Sequence, residues 1–161
     1  MTVHLESVLL WGAVATLGMT LVEAAAQRWG VSRMSLAFLI GSGFTADRRR
    51  ALWLGLVLHF LLGWVLALPY ALVMEDLGRT GWWLGGALGL LHGSAFLGLV
   101  APLLPLVHPR MADELHGPEP TAWLQPPGWF AANYGRLTPA VSLVGHLLYG
   151  MVLGAFYRLA G

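Results

Sequence analysis

The chain has 161 residues, of which 57% are hydrophobic and 11% charged, and its net charge is +1. A soluble domain carries about 25% charged residues, so this composition excludes an ordinary soluble fold, and the small net charge argues against a nucleic-acid partner. The absence of cysteine removes disulfides, iron–sulfur clusters and thiolate metal sites.

The first apolar segment covers roughly residues 7–29, long enough to cross a hydrocarbon core of about 30 Å at 1.5 Å per residue. Only His4 and Glu6 precede it as ionisable residues, and the arginines follow it, so it reads as a retained anchor rather than a cleaved signal. Residues 32–44 form an apolar run too short to span, expected to be an interfacial or re-entrant helix capped by Ser32 and ended by Gly41 and Gly43. Further spans are expected at roughly 51–74, 82–104 and 139–159. Between the last two lies a loop, 105–138, rich in proline and carrying Trp123, Trp129, Phe130 and Tyr134. Ordered loops of this length are often functional, and this one is expected to lie on the membrane and lid the bundle. The fold class is therefore all-α, a polytopic four-transmembrane-helix bundle forming one integral membrane domain over 1–161.

All nine basic residues are arginine. They concentrate around the first loop (Arg28, Arg33, Arg48, Arg49, Arg50) and in the third (Arg110, Arg136), whereas the second has Arg79 beside Glu75 and Asp76. The positive-inside rule then places loops 1 and 3 in the cytoplasm and both termini outside, in what reads as a bacterial inner membrane. Trp11, Tyr70, Trp82, Trp83 and Tyr157 are expected in the outer aromatic belt, and Trp29, Trp53, Trp123 and Trp129 in the inner one. The frame from His59 through Gly63 and Val65 to Tyr70 matches that from His146 through Gly150 and Val152 to Tyr157. This suggests two helix hairpins related by a pseudo-twofold axis along the membrane normal.

Each span carries one residue that hydrocarbon tolerates poorly: Glu23, His59, His92 and His146. Counted from the cytoplasmic ends at 1.5 Å per residue, Glu23, His59 and His146 fall roughly 9 to 12 Å deep and share a level. His92 joins them if Pro102 and Pro105 close its helix, and lies further out if the helix reaches Val107. Thr16, Thr20, Glu23 and Gln27 share one face of the first span, which turns Glu23 inward. Three imidazoles and a carboxylate form a ligand set for a transition metal, iron or zinc first and copper as a further option, with Thr20, Gln27, Ser142 and Tyr149 orienting the ligands. The leading expectation is thus a membrane metalloprotein, such as a redox enzyme acting on a lipid-soluble or gaseous substrate. A haem b between two histidines, for example His59 and His146, is the second, in an electron-transfer or anchor subunit. A proton- or cation-coupled transporter is the third, and it would need to dimerise. His108, Glu114 and His116 form a weaker cluster at the cytoplasmic mouth. The expected surroundings are the lipid bilayer and either a second copy of the chain or a larger membrane complex.

Overall fold

The computed structural model describes residues 2–112 and 121–160. The sequence-predicted cluster members Glu114 and His116 lie outside them. Four helices are long and apolar enough to cross a membrane: α1 (Leu5–Arg28), α3 (Arg48–Leu77), the composite span Trp82–Val107, and α6 (Thr138–Phe156). A short α2 (Leu36–Ser42) precedes α3. Among the described residues there is no strand beyond an isolated bridge between Met111 and Leu124. Among the described residues the protein is all-helical, with four helices of the length and composition of an integral membrane protein.

The spans bury small residues and turn large ones outward. On α3 the buried positions Ala51, Gly55, His59, Gly63, Ala67, Tyr70 and Met74 recur at spacings of three and four, one face of a helix, while Trp53, Val57 and Val65 are exposed. Lipid is as apolar as leucine, so helix association in a membrane rests on close backbone approach at small residues. The α4–α6 contact is built this way. A Cβ placed on Gly85 would strike the carbonyl of Gly150, and one on Gly89 the carbonyl of His146. α1 packs along both α3 and α6, whereas α3 and α4, joined by a tight turn, make little backbone contact. A cleft is left between them.

The third span is interrupted. α4 (Trp82–Ala95) passes into a π turn over Phe96–Val100 and then α5 (Ala101–Val107). Pro102 has no N–H to give the preceding turn, and its ring crowds the Gly98 carbonyl, so the helix widens there instead of ending. The span therefore reaches Val107, beyond the expected end at 104.

The α2 segment corrects another expectation. Its cap is Ser35, which accepts from Phe38 N at 3.3 Å. Ser32 instead bonds Thr138 Oγ1 at 2.9 Å, fixing the end of α1 to the start of α6. Gly41 lies inside α2, where its backbone abuts the Ala51 carbonyl of α3, and Gly55 reciprocates against Ala37. α2 is thus held against the first turns of α3. The described part of loop 3 folds over the same end: Arg33 N donates to Tyr134 O at 2.8 Å, and Tyr134 Oη donates to Gln125 O at 2.6 Å. At the opposite end, His4 N reaches Tyr157 Oη at 3.1 Å, and Arg158 N donates to Ser7 Oγ at 3.0 Å, tying the two termini together.

Two members of the expected aromatic belt are interior residues. Tyr70 is 5% exposed and Tyr157 4%. Tyr157 Oη donates to Glu75 Oε1 at 2.6 Å, so both phenols serve the bundle rather than the headgroup region.

Candidate functional site

The cleft between α3 and α4 widens into a chamber of about 530 Å3. α3 contributes His59, Leu62, Gly63 and Leu66; α4 and the π turn contribute His92, Ala95, Phe96 and Val100. α6 supplies His146 and Tyr149, α1 supplies Thr16 and Met19, and α2 closes the wall with Leu36, Leu39 and Ile40. Leu62 and Val100 line the chamber yet are 45% and 48% exposed. These two side chains flank a lateral opening onto the lipid-facing surface. The other end is closed by His108, whose Nε2 lies 3.0 Å from Leu39 O, the carbonyl end of α2.

Nearly all of this wall is apolar, and its polar groups are few and placed by short-range geometry. His146 is fixed by its own helix: Nδ1 lies 2.8 Å from Ser142 O, one turn earlier. An imidazole nitrogen facing a carbonyl must carry the proton, so Nε2 of a neutral His146 is left as an acceptor. The His92 ring meets His146 edge to face, with centroids 4.7 Å apart, because Gly89 and Gly93 let α4 close on α6 at that level. Phe96 stacks on His146 with centroids 5.7 Å apart. His92 Nδ1 lies 3.0 Å from Tyr70 Oη. With the phenol donating, His92 carries its own proton on Nε2. His59 is 6% exposed, and its Nε2 has no hydrogen-bond partner among the described residues. Tyr149 Oη donates to Gly63 O at 2.5 Å, bridging α6 to α3 across the chamber.

The structure thus brings together His59, His92, His146 and Tyr149. His92 belongs although its helix continues to Val107, because the glycine-mediated crossing of α4 and α6, not its depth count, sets its neighbours. Glu23 is 5% exposed but does not line the chamber. It lies beside the Leu36 backbone at the start of α2, and its Oε1 has no partner among the described residues. Of the residues expected to orient ligands, Thr20 bonds back to Thr16 O at 2.7 Å and Gln27 is exposed. Ser142 acts through its carbonyl, while its buried hydroxyl is unpartnered among the described residues. No three His, Asp or Glu side chains among the described residues converge as a metal set. The histidine rings in mutual contact are His92 and His146, not the His59 and His146 pair named for a haem.

Tyr70 and Phe96 were missed from sequence. The signal for Tyr70 was its place on the His59–Gly63–Ala67 face of α3, outweighed by its nearness to a span end. Phe96 carried no such signal, because its position depends on the π turn. The two repeated frames also part in use: Tyr70 meets His92, while Tyr157 meets Glu75 and His4. Comparison with protein-family models, with curated proteins and with solved structures finds no match.

Proposed function

We propose that this membrane protein binds a small lipid-soluble molecule in its chamber, with a carbonyl or hydroxyl group of that molecule held against His59, His92 and His146. One observation carries the reading: an apolar cavity that opens sideways onto the lipid-facing surface has four imidazoles among its few polar groups, three of them, His59, His92 and His146, on the spanning helices α3, α4 and α6, and the fourth, His108, at its far end. Binding sites are commonly apolar with a few convergent polar groups. A lateral mouth selects molecules that already reside in the bilayer. With Tyr70 donating to His92 Nδ1, the two touching rings carry one Nε2–H, on His92, and one Nε2 lone pair, on His146, a donor and an acceptor through which a proton can be given to and taken from a ligand oxygen. This supports proton-coupled chemistry on the ligand, as in a redox or isomerising enzyme. Both termini are placed outside and loops 1 and 3 in the cytoplasm, on the strength of the arginine distribution.

A resident iron or zinc ion is the second reading, favoured by His59, His92 and His146 sharing one cavity. It requires the rings to turn towards a common point, and the unpartnered Nε2 of His59 is the one free to do so without losing a bond. Glu23 then acts from outside the ligand set.

Binding of membrane-soluble ketones and alcohols to the protein in nanodiscs, followed by quenching of its tryptophans, tests the proposal. Saturable binding lost in His146→Ala and in Ala95→Phe, which fills the chamber, is expected. Binding indifferent to both changes refutes it. Elemental analysis of the same preparation separates the two readings: stoichiometric metal lost with His59→Ala selects the second.

A further inference from the structure

A second cavity, of about 230 Å3, lies at the loop 1 and loop 3 end, apart from the chamber apart from sharing Leu39. Its cations are Arg33 and Arg48, with Ser35, Gln125 and Tyr134 supplying further polar atoms. No acidic side chain is among its described lining residues. Arg33 is oriented by Asn133 O, which accepts from Nη2 at 2.5 Å, and by Gln125 Oε1 at 3.4 Å. Both partners are neutral, so the guanidinium charge is not offset by them. Arg48 lies over the Phe38 ring at 5.0 Å, and Phe38 packs on Trp123 at 5.9 Å. A guanidinium held over a ring face by its charge spends no N–H donor on that contact and keeps its donors for an anion.

A separate feature of α3 points the same way. Arg48, Arg49 and Arg50 occupy its first turn, the positive end of the helix dipole, where cations are unfavourable and anions favourable. Asp47, the N-cap, is the sole carboxylate at that turn and spends Oδ1 on Arg50 N at 2.7 Å. An anion shared by Arg33 and Arg48 relieves this crowding.

We propose that Arg33 and Arg48 hold the phosphate of an anionic phospholipid headgroup. The level of the pocket favours lipid over free phosphate. Phe44, Trp53 and Trp123 are exposed around this end, as side chains at the headgroup level are. Acyl chains then continue down the exposed apolar face of α3. The site is independent of the chamber reading.

The test is native mass spectrometry and thermal melting of the whole chain in detergent, with phosphatidylglycerol, phosphatidylcholine or inorganic phosphate added. One retained phosphatidylglycerol per chain and a raised Tm are expected, with neither effect from phosphatidylcholine. Arg33→Gln with Arg48→Gln weakens retention about tenfold or more, the usual loss when a charge-assisted contact is removed. Arg49→Gln, outside the pocket, leaves retention unchanged. Equal retention of both lipids, or an equal loss in Arg49→Gln, overturns the proposal in favour of diffuse surface charge. Stabilisation by inorganic phosphate equal to that by phosphatidylglycerol overturns the lipid assignment. If the double variant loses its helical signal, either single variant decides: one that folds and retains phosphatidylglycerol fully also overturns it.

Discussion

Gly85→Ala tests whether the α4–α6 contact positions the site. The added Cβ would fall against the Gly150 carbonyl and the backbone of Gly154, none of which can rotate away. The helices must separate, and dispersion falls steeply: a gap of about 0.5–1 Å forfeits a quarter to a half of each contact's well. Overpacking of this kind costs about 1–3 kcal/mol or more, and alanine's better helix propensity returns about 1 kcal/mol. Because only backbone atoms face the added Cβ, the cost lies at the upper end of that range, and the net expectation is a loss of about 2 kcal/mol. Gly98→Ala is the matched control, since a Cβ there meets nothing within 4 Å, and it should be neutral or mildly stabilising. Equilibrium unfolding in mixed micelles measures both. A second consequence follows at the chamber: His92 and His146 sit on these two helices, so their edge contact opens and ligand binding weakens with stability. Gly85→Ala as stable as the natural chain would refute the reasoning.

Tyr149→Phe removes the donor to Gly63 O, and a loss of about 0.6–1.5 kcal/mol is expected from interhelical bonds in membranes, read by the same unfolding assay. Thr138→Val removes one partner of the buried Ser32 hydroxyl, which still accepts from Met34 N at 3.1 Å, and should cost about 1 kcal/mol, whereas Ser32→Ala, which also leaves the Met34 N–H without that acceptor, should cost more in the same assay. Tyr134 is pushed up from 10.0 to about 12, chiefly by burial, with Arg33 opposing. A raised acid pKa means that its folded-state contribution is intact below pH 10 and is lost as pH rises through about 12. Amide exchange in residues 121–135 should therefore accelerate across that window, and Tyr134→Phe should flatten the dependence.

Spans and the inward turn of the histidines were legible because both depend on local chemistry: apolar length marks a span, and an ionisable residue within it turns from lipid. Relations between helices were not legible in the same way. The depth count placed His92 by its distance from a helix end, yet its neighbours are set by Gly85 meeting Gly150 and Gly154, and by Gly89 and Gly93 meeting His146, on α6. Whether the prolines at 102 and 105 end the third span could not be decided from sequence, and the helix instead widens into a π turn before them and runs on to Val107. Glu23 was read correctly as buried, but burial does not say which cavity a side chain faces. Glu23 meets the backbone of Leu36 at the start of α2, while Leu36 itself lines the chamber. Aromatics near span ends were ambiguous for a similar reason. Tyr70 lies near the end of α3 but on its buried face, and face outweighs depth.

Nitrogen NMR of the protein in bilayers, with ring-labelled histidine, tests the central claim most directly. On titration with a membrane-soluble ketone that binds, the Nε2 resonances of His59, His92 and His146 should shift together and saturate, while His4, at the terminal end, stays fixed. Resonances of the three that do not move, or that move no more than His4, would contradict a ligand held among them.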